Sequence, residues 1–101
     1  MNLRFEDELA EDLNPIGSEL EDRILNEIFD LENKPLPENS YVIRLPDGKE
    51  VQCLKLQEEN RNSELNHRVT YDIDGKQVRI YGVFPRNPGY QEIKQKTQEK
   101  L

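Results

Sequence analysis

Few side chains in this sequence do chemistry unaided. His67 is the single histidine and Cys53 the single cysteine of the 101 residues. A general base or metal ligand needs partners at short range. His67 has neither a cysteine nor a second histidine beside it, and reads as an ordinary surface or strand-edge residue. Cys53, in a β-rich stretch, reads as a small buried hydrophobe rather than a reactive thiol. One cysteine forms no internal disulfide, which fits a reducing compartment. Asp72, Asp74 and Gly75 resemble a fragment of a calcium loop, but the run of oxygen ligands closing on glutamate is missing. Asp74-Gly75 has hairpin-turn chemistry instead. No glycine-rich phosphate loop occurs. The plentiful carboxylates fall at helical spacing and do not converge in an apolar setting, so paired-carboxylate hydrolysis is disfavoured. The reading is a non-catalytic protein with no metal and no cofactor.

Two surfaces remain that could serve a partner. Residues 1–32 carry 11 acids and 2 bases, whereas residues 33–101 carry 10 acids and 12 bases, within a chain of net charge −7. Such asymmetry builds one strongly negative face beside a near-neutral one. Glu6, Asp7, Glu8, Glu11, Asp12, Glu19, Asp22, Glu27 and Asp30 are the expected contacts to a basic protein partner. Their carboxylates would steer association, and in the strongest form would imitate a row of phosphates and inhibit an enzyme that binds nucleic acid. A solvated face that only keeps the protein soluble is the bland counterpart. The alternative function is a nucleic-acid-binding module, with Arg44, Lys55, Arg68, Arg79, Tyr81 and Arg86 on the basic face of a sheet. Alternation places Tyr71 opposite Arg68, and outward charges on a half-buried sheet are ordinary, so nucleic acid ranks behind a protein partner. A small enzyme of unknown type ranks third.

The elements that must position these residues follow from periodicity. Phe5, Leu9 and Leu13 recur at steps of four among acids, which suggests a short acidic helix over residues 3–13. Asn14-Pro15-Ile16-Gly17 ends it. Ser18-Glu19-Leu20-Glu21 fits a capping box, and Leu20, Ile24, Leu25, Ile28, Phe29 and Leu31 then form an apolar stripe. Asn33-Lys34-Pro35-Leu36-Pro37 stops that helix. From Ser40 the period changes to two. Residues 41–45 and 51–56 form one hairpin about Pro46-Asp47-Gly48-Lys49, and residues 67–73 and 77–84 form a second about Asp74-Gly75. Pro85, Pro88 and Gly89 end the sheet, leaving a polar tail, at best a short fraying helix.

A chain of this length holds one modest core. Leu, Ile, Val and Phe total 27 residues, more than in a disordered chain. The expected architecture is α+β, with an N-terminal acidic helix packed on a four-stranded antiparallel β-meander. A small β-barrel with a helix is the alternative. Residues 1–17 form an acidic segment, 18–86 one α+β domain, and 87–101 the polar tail. The expected core is Leu20, Ile24, Ile28, Tyr41, Ile43, Val51, Cys53, Val69, Tyr71, Ile73, Val78 and Ile80. The start is not signal-like and no stretch has membrane-spanning length, so no membrane role and a cytoplasmic location are expected.

Overall fold

Apolar residues three and four apart make Ser18–Asp30 a helix, α1. The computed structural model describes residues 2–5, 18–57, 65–86 and 89–101. Ile24, Ile28 and Leu31 of the α1 stripe are buried, with Leu20 and Leu25 packed at the margin. Phe29 instead stays 48% exposed and meets the ring of Phe5 edge-on at 6.4 Å. The Ser18 side chain of the expected capping box lies outside what is described.

Alternating residues give β2 (Ser40–Arg44), β3 (Glu50–Gln57), β4 (Asn66–Asp74) and β5 (Gln77–Pro85), paired antiparallel in sequence. A further strand, β1 (Asn2–Phe5), adds parallel to β5. The sheet is therefore five-stranded and mixed, in the order β1-β5-β4-β3-β2. This corrects the four-stranded antiparallel meander. Among the described residues the sheet is open, with β1 and β2 at its edges, and not a barrel. Residues 2–5 are extended, contrary to the helix expected from residue 3; the rest of that expected helix, and the turn at 14–17, lie outside the described residues. The β4–β5 turn consists of Gly75-Lys76, one residue beyond Asp74-Gly75, because Asp74 still pairs with Gln77. Gly75 supplies the positive φ of 61° that this turn requires.

The segment read as a polar tail contains a second helix, α2 (Tyr90–Glu99), whose Ile93 and Thr97 are buried. Its presence changes the core. Leu54, Leu56, Val69, Tyr71, Val78, Ile80 and Val83 pack with α1. Ile43, Leu45, Val51, Cys53, Tyr81 and Phe84 pack with Ile93. Strand residues of opposite parity thus line opposite faces, and both faces are covered. The expected core residues are real neighbours only within these two sets, because a single helix was expected to cover a single face. A register shift between Thr70 and Tyr71 lets β5 bulge at Tyr81: Thr70 faces Gly82, while Tyr71 faces Ile80. Tyr81 and Phe84 both reach the α2 side as a result. Thr70 and Thr97 share a buried hydroxyl hydrogen bond of 2.9 Å that ties α2 to the sheet centre. On the α1 side, the Tyr71 hydroxyl donates to the Pro35 carbonyl at 2.7 Å and anchors the connector that follows α1.

Candidate functional site

The α2 face of the sheet carries a cluster of two tyrosines and two arginines. β4 places Arg68 on this face beside Thr70, and Arg68 is only 3% exposed. A buried guanidinium needs acceptors, and it has them. Its Nε donates to the Tyr90 oxygen at 3.0 Å. Its Nη1 donates to Asn66 Oδ1 at 3.1 Å and to the His67 carbonyl at 3.0 Å.

Tyr90 opens α2 and follows Gly89, whose φ of 139° suits glycine. From the start of α2 the tyrosine reaches Arg68 of β4 and Tyr41 of β2. Arg86 lies just past β5, where its backbone N–H donates to the Asn66 carbonyl at 3.0 Å. Its guanidinium sits 4.4 Å from the centre of the Tyr90 ring, a cation–π distance. Asn66 thereby fixes both arginines. Tyr41, from edge strand β2, completes the group through a hydroxyl hydrogen bond to Tyr90, with the rings edge-to-face at 6.2 Å. Lys55 is exposed on β3, directly cross-strand from Arg68.

The electrostatics separate the two phenols. Burial pushes the Tyr41 hydroxyl far up, and its hydrogen bond to Tyr90 pushes it further. Burial would also raise Tyr90, but its hydrogen bonds with Tyr41 and Arg68 and the Arg68 charge outweigh it and bring Tyr90 below the ordinary tyrosine value. Arg68 shows the reciprocal effect: burial lowers it, and the bond to Tyr90 more than restores it. A half-buried phenol that accepts from a buried arginine, shares a hydrogen bond with a second phenol and lies beside cationic groups is suited to take a proton.

The other expected residues are placed elsewhere. Arg44 pairs with Glu50 at 3.5 Å on the exposed β2–β3 ladder. Arg79, toward the opposite end of β5, lies 5.5 Å over the ring of the buried Tyr81. Of the basic face, Lys55, Arg68 and Arg86 are thus brought together, whereas Arg44, Arg79 and Tyr81 are not. His67 is buried, and its Nδ1 accepts from the Asn66 backbone at 3.2 Å. Burial, and then the Arg68 charge, push its imidazole down. Cys53 is buried next to Tyr41, its thiol pushed up by burial. Glu19, Asp22, Glu27 and Asp30 are exposed on α1, across the sheet from the cluster. Glu6, Asp7, Glu8, Glu11 and Asp12 lie outside the described residues. Tyr41 and Tyr90 were missed in the sequence. The available signal was an aromatic residue following Pro88-Gly89, next to the basic Arg86.

Among the described residues, no group of three or more His, Cys, Asp or Glu side chains is arranged to hold a metal ion, and no helix is long and apolar enough to cross a membrane. A surface depression of about 550 Å³ runs along the outer side of α2, lined by Gly89, Gln91, Glu92, Gln95, Lys96 and Glu99. It excludes Arg68 and Tyr90, so its size does not mark the chemistry.

No protein-family model and no curated protein matches the chain. Among solved structures, the chain is similar to the E. coli toxin RelE, seen in the free state as a double arginine-to-alanine mutant. The match has a TM-score of 0.66 and 19% identity, and covers 99% of this chain and 96% of that one. The two share an α+β fold with a five-stranded mixed sheet and two helices. The likeness to a toxin corrects two expectations drawn from the sequence: a non-catalytic binding or regulatory protein, and a chain that is not an enzyme. The acidic segment shows plainly in the sequence, whereas α2, which buries only Ile93 and Thr97, leaves no apolar stripe to announce the cluster on the far face.

Proposed function

We propose that this chain is a toxin of the RelE fold that cleaves RNA by transesterification at the Arg68–Tyr90–Arg86 cluster. The observation that carries the reading is the Tyr90 oxygen, held 3.0 Å from Arg68 Nε with the Arg86 guanidinium 4.4 Å from its ring. RNA brings its own nucleophile in the 2′-hydroxyl, which suits a site with a base and cations but no nucleophilic serine or cysteine. Tyr90, as phenolate, takes the proton of the 2′-hydroxyl, and that oxygen bonds to the adjacent phosphorus. The bond from phosphorus to the 5′ oxygen breaks, and its electron pair leaves with that oxygen, which takes a proton from the Lys55 ammonium. The products are a 2′,3′-cyclic phosphate and a free 5′-hydroxyl. Arg86 and Lys55 balance the charge that grows on the phosphoryl oxygens. Arg68, being buried, acts through Tyr90 as a positioning residue.

The test offers RNA both free in buffer and as message in a translating extract, beside an oligonucleotide with a single 2′-deoxy position at the scissile step. The expected result is cleavage that leaves a cyclic phosphate, is blocked by the 2′-deoxy position, and falls about 10²- to 10⁴-fold in Tyr90→Phe. No cleavage in either setting, or cleavage indifferent to both changes, overturns the reading.

A further inference from the structure

We propose that Tyr41 is a positioning residue of this site: its hydroxyl donates to the Tyr90 oxygen and fixes that oxygen as the proton acceptor. The inference rests on the RNA-cleaving reading, and its test also has a readout independent of cleavage.

A phenol oxygen carries one proton and two lone pairs. One lone pair of Tyr90 is engaged by Arg68 Nε–H at 3.0 Å. While Tyr90 is neutral, its own proton can go to Tyr41. Once Tyr90 has lost that proton, Tyr41 must be the donor, and two donors then converge on one anionic oxygen. Hydrogen bonds to the charged form favour it. The direction of donation is set by which hydroxyl keeps its proton, and burial, followed by the bond to Tyr90, holds the Tyr41 proton in place.

The surroundings agree. The groups facing Tyr90 are Tyr41 from β2, Cys53 from β3, Arg68 from β4 and Arg86 from beyond β5. The Cys53 thiol is pushed up by burial and stays neutral, so of these four groups the two that are charged, Arg68 and Arg86, are both cations. On α2 itself, Glu92 is engaged by Lys96 at 2.8 Å. The sheet register explains why an edge-strand residue can serve. Tyr41 pairs with Cys53, and Cys53 with Thr70, so Tyr41 stands on the α2 face two strands from β4. The long Arg68 side chain and the Tyr90 ring span that gap.

The experiment follows the tyrosine titrations of the full chain by NMR with tyrosine labelled at the ring carbon bearing the hydroxyl. Wild type, Tyr41→Phe and Tyr90→Phe are compared, with melting midpoints to establish folding. In Tyr41→Phe the Tyr90 titration is expected to rise by about one unit, a tenfold loss of phenolate near neutrality. The acid limb of the cleavage profile should rise with it, at unchanged KM for RNA. Coupling is reciprocal, so in Tyr90→Phe, which spares the strands, the Tyr41 titration should fall. That arm decides the matter if Tyr41→Phe does not fold. An unmoved Tyr90 in folded Tyr41→Phe, or an unmoved Tyr41 in Tyr90→Phe, overturns the proposal. Coupled titrations in a protein that cleaves no RNA uphold the pairing and remove only the reaction assigned to it.

Discussion

Arg68 and Tyr90 meet through a 3.0 Å hydrogen bond across 22 residues of chain, and this contact joins the fourth strand to the start of the last helix. Because Arg68 also serves Asn66 and the His67 carbonyl, its guanidinium is a fork whose geometry an ammonium cannot reproduce. Arg68→Lys is expected to keep the charge and the fold but lose most of the cleavage. Arg68→Ala should in addition cost about 1–3 kcal/mol, the usual cost of leaving buried polar partners unmet. Cleavage rates and denaturant midpoints on the two variants check this, and wild-type turnover in Arg68→Lys would show that charge alone suffices.

The two-sided core gives an expectation that a one-sided core would not. Ile28→Ala empties a site under α1, and Ile93→Ala one under α2; each is expected to lose about 2–5 kcal/mol. Their effects on activity should differ. Ile93→Ala loosens the helix that carries Tyr90 and should lower cleavage even well below its melting midpoint, whereas folded Ile28→Ala should cleave normally. Equal activity in both variants would mean that α2 docking does not position the tyrosine.

How much of this was legible in the sequence depends on how many apolar residues each element shows. α1 was visible because Ile24, Ile28 and Leu31 recur on one face. The hairpins were visible from alternation, and the β4–β5 turn missed by one residue because Asp74 remains in the ladder. β1 was hidden: it is four residues long, with Leu3 alone packed on the core, and it pairs with β5 from the far end of the chain. α2 was hidden because its buried positions are Ile93 and Thr97, and one isoleucine makes no stripe. The site inherited that gap. Lys55, Arg68 and Arg86 were visible as basic residues, but Tyr41 and Tyr90 are brought together across 49 residues by a helix that periodicity did not show.

His67 sets an acid limit on stability. Burial, and then the Arg68 charge, push its pKa below the ordinary 6.5. The unfolded chain therefore binds a proton that the folded chain resists, so this contribution to stability is full above the ordinary value and is lost as pH falls through the folded one. From about pH 8 to about pH 5, the melting midpoint of wild type should drop more than that of His67→Gln. Cleavage by His67→Gln should match wild type near neutrality, since the imidazole accepts from the Asn66 backbone and lies outside the Tyr90 cluster. A lost activity in the folded variant would place the histidine in the site.

The acidic helix supplies the last expectation. Glu19, Asp22, Glu27 and Asp30 are exposed on α1, across the sheet from Lys55, Arg86 and Tyr90. They touch nothing in the cluster, yet they contribute to a net charge of −7 that repels a polyanion. The thinnest dimension of the molecule is 26 Å, whereas the screening length is about 8 Å at 0.15 M salt and about 30 Å at 0.01 M. The repulsion should therefore reach the cluster only in dilute salt. A variant carrying Glu19→Gln, Asp22→Asn, Glu27→Gln and Asp30→Asn should cleave RNA with a kcat/KM several-fold above wild type at about 0.01 M salt, and equal to it at about 0.15 M. Its melting midpoint should stay level or rise slightly, because exposed substitutions fall within about 0.5 kcal/mol each and crowded like charges repel. Initial rates against salt for the two proteins decide it. A variant slower than wild type at both salt strengths would make the carboxylates part of RNA recognition and place the substrate on the α1 side of the sheet.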